Sequence, residues 1–155
     1  MAKVNLGSEA PDFSLPWTGE GEFRLSEHRG KWVILAFYPG DFTPTCTKQF
    51  CNYRDGREDL DQLDAEVVGI SPQDVESHEK FITEHGLTVP LAADTDLDVA
   101  GAYGVKAPGG KFVRRSVFIV DPEGTVRYRK VALVGLGYED TADLRDALAE
   151  ARASA

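Results

Sequence analysis

The sequence predicts an α/β fold in which a central mixed β-sheet is flanked by helices, and three observations carry that prediction. Trp32 to Tyr38 is an unbroken apolar and aromatic run, the pattern of a strand buried on both faces and therefore covered by helices. Beyond it, Phe50, Tyr53, Leu60 and Leu63 recur at helical spacing before a second strand-like run at Glu66 to Ile70, which makes a β-α-β unit. Ser116 to Asp121 and Thr125 to Val131 are joined by Pro122, Glu123 and Gly124, residues that suit a tight turn, so two antiparallel strands follow.

The remaining elements fit around this frame. Asp12 to Leu15 and Glu22 to Leu25 flank a Gly-rich turn and read as a small N-terminal hairpin extension that covers the main sheet. A helix from about Gln73 to His85, a short strand near Leu91 and a helical Leu97 to Tyr103 continue the alternation. Asp140 and Thr141 cap a last helix, where Leu144, Ala147, Leu148 and Ala151 form an apolar stripe and Asp143, Arg145 and Glu150 stay in water. A central β-α-β followed by a β-hairpin and a helix is the connectivity of a thioredoxin-like fold. No repeat, low-complexity tract or linker divides the 155 residues, so 1–155 reads as a single domain.

Composition narrows the function classes. An apolar share of 42% with 28% charged residues belongs to a soluble globular chain. Seventeen Lys and Arg against 26 Asp and Glu give a net charge of -9, and the basic residues are scattered, which speaks against binding nucleic acid or an anionic membrane. The expected substrate is small or uncharged. The N-terminus shows no apolar run suited to a signal peptide or spanning helix, so a cytoplasmic location is expected. In that reducing compartment a pair of cysteines points to redox or catalytic use rather than a permanent staple. Two cysteines with no histidine nearby fall short of a zinc site; His78 and His85 read as surface residues, and no metal is expected. Gly135-Leu136-Gly137 lacks the rest of a dinucleotide loop and reads as an ordinary loop, so no cofactor is expected either.

The informative stretch runs from Phe37 to Cys51 and places Cys46 in the first turn of the helix after the buried strand. Unpaired N–H groups and the positive end of the dipole favour an anion there, and so favour thiolate over thiol. Thr43 supplies a hydroxyl three residues earlier, and Pro39 a rigid apolar ring that can shield the sulfur. Attack on a peroxide releases an oxyanion, which needs fixed donors; Thr43 and the N–H groups of Thr45 and Cys46 are the local candidates.

Pro39, Thr43 and Cys46 match the Pro-x-x-x-Thr/Ser-x-x-Cys signature of the peroxiredoxins, in a Phe37-Tyr38-Pro39 setting. The chain resembles that family nearly end to end, from Ala10-Pro11-Asp12-Phe13 through Val68-Gly69-Ile70-Ser71 to Arg115-Ser116-Val117-Phe118-Ile119-Val120-Asp121. A second cysteine five residues after the first is similar to the Q type, the bacterioferritin comigratory proteins. The resemblance implies a thiol-dependent peroxidase that reduces hydrogen peroxide and organic hydroperoxides to water and alcohols. It implies that Cys46 is the peroxidatic thiolate, Cys51 the resolving thiol, Thr43 the peroxide-binding hydroxyl, Pro39 the pocket shield and Arg115 the distant arginine. It further implies recycling by thioredoxin or a similar dithiol, and a monomer or a dimer. Gln49 stands where many members carry Glu, so its neutral amide is expected to keep a hydrogen bond to the arginine while weakening the charge pairing. If Arg114 and Arg115 lie in a strand, only one of them faces the site.

Other readings stay open at this level. Cys51 could be a packing residue in a one-cysteine enzyme. A thioredoxin-like disulfide oxidoreductase would share the fold class but expects Cys-x-x-Cys, and a chaperone or interaction module would carry its cysteines incidentally.

Overall fold

In the computed structural model the described residues are 4–107, 112–132 and 138–155; the Gly135-Leu136-Gly137 loop lies outside them. The middle of the molecule is a five-stranded sheet in the order β5 (Leu91–Ala93), β4 (Ala65–Ser71), β3 (Trp32–Phe37), β6 (Ser116–Val120) and β7 (Val126–Val131). β3 runs parallel to β4 and antiparallel to β6, β5 is parallel to β4, and β7 is antiparallel to β6, so the sheet is mixed, as expected. A separate antiparallel hairpin, β1 (Ser14–Pro16) and β2 (Glu22–Arg24), precedes it.

Alternation along β3 builds a core on each face. Val33, Leu35 and Phe37 pack with Leu15 and Phe23 of the hairpin and with Val99 and Ala100 of α4 (Asp98–Ala102), so the hairpin does cover the sheet. Ile34, and Tyr38 just beyond the strand, pack on the opposite side. Their partners there include Phe50 and Tyr53 of α1 (Pro44–Asp55), Phe81 of α3 (Val75–His85), and Leu144 and Leu148 of α5 (Thr141–Ser154). The Asp140 carboxylate caps α5 by accepting from Asp143 N–H at 2.8 Å, and the expected stripe of Leu144, Ala147, Leu148 and Ala151 is buried.

The helical pattern from Phe50 to Leu63 resolves into two helices, α1 and the short α2 (Arg57–Asp61), separated at Gly56. Contact explains the break: a Cβ on Gly56 would lie 2.5 Å from Thr141 Oγ1, so the start of α5 sits directly against this glycine. The same segment is tied across by Asn52, whose Oδ1 accepts from Thr141 N–H at 3.0 Å.

Gly69 performs a related task in β4. A Cβ there would stand 2.7 Å from Leu91 Cδ2 and 2.8 Å from Phe50 Cζ, so the missing side chain lets α1 settle onto the sheet. Overpacking of this kind costs about 1–3 kcal/mol. Gly69→Ala is therefore expected to lower the urea midpoint by that energy divided by an unchanged slope, measured by equilibrium denaturation.

Candidate active site

β3 ends at Phe37, though Tyr38 N–H still reaches Ile70 O at 3.0 Å before the chain leaves the sheet through Pro39 to Thr43 and enters α1. Thr43 is the N-cap in extended conformation (φ -73°, ψ 147°) and Pro44 opens the helix, a position where a missing N–H is harmless. Thr43 Oγ1 donates to Gly40 O at 3.0 Å rather than capping the helix. Thr45 and Cys46, as first-turn residues, therefore carry N–H groups with no intrahelical acceptor. Cys46 lies immediately inside this helix start and is fully buried.

A guanidinium meets the sulfur from the other side. Arg115 Nη2 donates to Cys46 Sγ at 3.1 Å, and Nη1 donates to Gln49 Oε1. Arg115 is itself buried and precedes β6, its backbone held where Ala132 N–H donates to Arg115 O at 2.9 Å. Its Nε has no acceptor among the described residues. Arg114 is partly exposed and its N–H donates to Val105 O at 2.7 Å, so of the two arginines Arg115 is the one turned to the sulfur.

The Gln49 amide has a determined direction. Tyr53 Oη donates to Glu139 O at 2.6 Å, which spends its only proton, so it accepts from Gln49 Nε2 at 3.0 Å. The amide oxygen is then left facing Arg115. Burial pushes the Tyr53 hydroxyl well above its ordinary pKa and keeps it a neutral donor. The relay Glu139–Tyr53–Gln49–Arg115–Cys46 thus orients the guanidinium. Gln49 keeps the hydrogen bond expected of it, while Tyr53 appears in the sequence only as a core aromatic one helical turn farther on.

Cys51 lies on the same helix, half-buried, and both cysteines are free. Pro39 is partly buried and Thr43 exposed on the approach to the helix, and Thr45 is in its first turn. One sequence reading fails here: His78 is fully buried rather than at the surface. The helical spacing of His78, Phe81 and Ile82 puts it on the apolar face of α3, a signal present in the sequence. His85 is only partly exposed and its ring lies 5.5 Å from that of Phe81. Among the described residues no group of three or more His, Cys, Asp or Glu side chains is placed to hold a metal, and no helix is long and apolar enough to cross a membrane.

Comparison with known proteins agrees with this geometry. The AhpC/TSA family pattern matches residues 6–129. Peroxiredoxin Bcp of Bacillus subtilis is 37% identical over 136 residues, which cover 83% of this chain and 87% of that protein. Among solved structures, the peroxidoxin BcpB of Mycobacterium tuberculosis superposes with a TM-score of 0.81 at 32% identity, covering 97% of each chain. Peroxiredoxin Q of Xanthomonas campestris superposes with a TM-score of 0.76 at 30% identity, covering 91% of this chain and 90% of that one. A cysteine at a helix start, faced by a buried arginine within a thioredoxin-like sheet, therefore belongs to a thiol peroxidase: the chain is a member of the AhpC/TSA family, among the peroxiredoxins.

Proposed function

We propose that Cys46 is the peroxidatic nucleophile and Cys51 the resolving thiol in the reduction of hydrogen peroxide and organic hydroperoxides. The observation that carries this reading is the 3.1 Å contact from Arg115 Nη2 to Cys46 Sγ at the first turn of α1. The helix start and the guanidinium both stabilise negative sulfur, from opposite directions. In the reaction the thiolate attacks one peroxide oxygen, the O–O bond breaks, an S–O bond forms, and the departing alkoxide or hydroxide takes up a proton. The N–H groups of Thr45 and Cys46 donate to the developing oxyanion, Thr43 Oγ1, whose own proton goes to Gly40 O, accepts from the O–H of the hydroperoxide, and Pro39 and the burial of the sulfur keep bulk water out.

The product is a sulfenic acid on Cys46. Attack by the Cys51 thiolate then forms the S–S bond as the S–O bond breaks, the hydroxide leaves as water after taking up a proton, and a dithiol reductant, thioredoxin or a relative, restores both thiols by exchange while itself becoming a disulfide. Intracellular reductants fit this cycle, so we place it in the cytoplasm, carried out by residues 1–155 as one domain. Neither nucleic acid nor membrane is needed, and nothing in the cycle requires a second subunit, so a monomer suffices.

Replacing the sulfur tests the nucleophile. Cys46→Ser is expected to abolish peroxide consumption while circular dichroism stays native, because Ser preserves the volume but not the nucleophile; activity above a trace would overturn the assignment.

Loss of one hydrogen-bonding side chain tests the peroxide site. Thr43→Val and Arg115→Met are each expected to slow single-turnover oxidation by about ten- to a thousandfold, the scale of losing one fixed hydrogen bond to the reacting groups. Stopped-flow fluorescence of Trp17 and Trp32 is the readout, and an unchanged rate in either variant removes that residue from the site.

Resolution must open the helix. Residues five apart in an α-helix have Cα atoms roughly 8.7 Å apart, whereas a disulfide needs less than about 7 Å. Oxidised protein is therefore expected to show less helix by circular dichroism and faster amide exchange from Thr45 to Tyr53. Cys51→Ser should react once with peroxide and then stall as sulfenic or sulfinic Cys46. Normal turnover of that variant with thioredoxin, together with unchanged helix in the oxidised wild type, would make Cys51 a packing residue.

A further inference from the structure

Behind the loop that leads into α1 lies a buried polar cluster that the reaction does not use. Asp41 sits two residues before Thr43, and its carboxylate is withdrawn from water. Oδ1 accepts from Tyr38 Oη at 2.7 Å, while Oδ2 accepts from Ser77 Oγ at 2.7 Å and faces His78 Nδ1 at 2.7 Å. His78 Nε2 lies 3.1 Å from Ala92 O, which can only accept, so Nε2 carries a proton. Burial pushes the Asp41 carboxyl up, but the hydrogen bonds from His78, Tyr38 and Ser77 outweigh it and hold the group below its ordinary range. The 2.7 Å approach of Oδ2 to Nδ1 joins Asp41 and His78 through one shared proton.

The backbone of the same loop is gripped separately. Gln73 Oε1 accepts from Asp41 N–H at 2.9 Å and from Ser71 Oγ at 2.8 Å, and a Cβ on Gly40 would come within 3.1 Å of the Gln73 amide. Four elements thus converge on one short segment: the end of β3 through Tyr38, the end of β4 through Ser71, α3 through Ser77 and His78, and β5 through Ala92. The next residue, Phe42, is left-handed at φ 64°, a conformation a bulky side chain adopts only where its surroundings over-determine it.

We propose that Asp41 and His78 are positioning residues of the peroxide step: their buried pair clamps the loop so that Thr43 and the first N–H groups of α1 stand where the peroxide binds. This rests on the peroxidatic reading of Cys46 and Thr43. It separates two tasks. Arg115 holds the sulfur from the β6 side, and the clamp sets the peroxide donors from the α3 side. Loosening the clamp therefore harms reaction with peroxide, which needs those donors, more than reaction with an electrophile that needs only the sulfur.

The test uses full-length protein in a Cys51→Ser background, so that Cys46 alone is followed. Asp41→Asn and His78→Leu are expected to slow oxidation by hydrogen peroxide about ten- to a hundredfold, the scale of a misplacement near 1 Å. Alkylation of Cys46 by iodoacetamide should change by less than about threefold, because the sulfur keeps Arg115 and moves with its own helix start, and Thr43 takes no part in alkylation. His78→Asn, which can restore a donor towards Asp41, should recover part of the peroxide rate. Ser77→Ala, which removes one donor at the edge of the cluster, provides a milder variant should His78→Leu fail to fold, and is expected to slow peroxide but not iodoacetamide. Parallel slowing with both reagents, or unchanged peroxide rates in Asp41→Asn and Ser77→Ala, would overturn the clamp while a fast parent keeps the peroxidatic reading. A parent inert to peroxide would overturn both.

Discussion

Arg115 carries a permanent positive charge into a place where only 6% of its surface is exposed. A charge taken out of water must find acceptors in place of its hydration shell. The acceptors here are the Cys46 sulfur and the Gln49 amide oxygen. Because Gln49 is neutral, the sulfur is the one acceptor of the two that can carry a charge opposite to that of the guanidinium. The same requirement passes outward: Gln49 must turn its oxygen to Arg115, Tyr53 must accept from its nitrogen, and the Glu139 carbonyl must receive the Tyr53 proton. Core packing and site electrostatics share these atoms, since Tyr53 is also part of the apolar cluster between α1 and the sheet.

The site stands where β3 leaves the sheet, at the carboxyl end of a central strand. There the chain has finished its ladder hydrogen bonds and must satisfy its polar groups in other ways. It does so through side chains on neighbouring elements: Gln73 for the Asp41 N–H, Gly40 for the Thr43 hydroxyl. The result is a loop that owes its shape to its surroundings more than to its own preferences, as the left-handed Phe42 shows. A loop of that kind can leave the first N–H groups of α1 uncapped, because the energy that holds it comes from elsewhere.

Under the proposed cycle α1 meets two opposed demands. It would have to be regular enough to aim its N-terminus at a substrate, yet short enough to open if the two cysteines join. A helix of 12 residues has little stability alone and depends on packing. Here that packing comes chiefly from Phe50 and Tyr53, with Asn52 and Gly56 locking its end against α5. Cys51 stands off the best-packed face and is partly exposed, so the core residues can hold the reduced helix without sealing the second thiol away.

Much of this protein was legible in its sequence. The unbroken run Trp32 to Tyr38, the helical returns of Phe50 and Tyr53, and the turn Pro122-Glu123-Gly124 before β7 specify strand, helix and hairpin because side-chain period and turn chemistry act over a few residues. The same local physics places Cys46 at a helix start and Thr43 three residues before it. What periodicity could not supply is which distant groups meet. That Arg115 reaches Cys46 from the strand side, that Tyr53 decides the direction of Gln49, and that Gly56 breaks a helix to admit Thr141 all depend on long-range contacts. His78 shows the boundary well. Its spacing with Phe81 already marked a buried face, but only the packing of α3 against the loop revealed the carboxylate waiting there. A buried polar group is defined by its partner, and partners far apart in the chain are chosen by the tertiary structure.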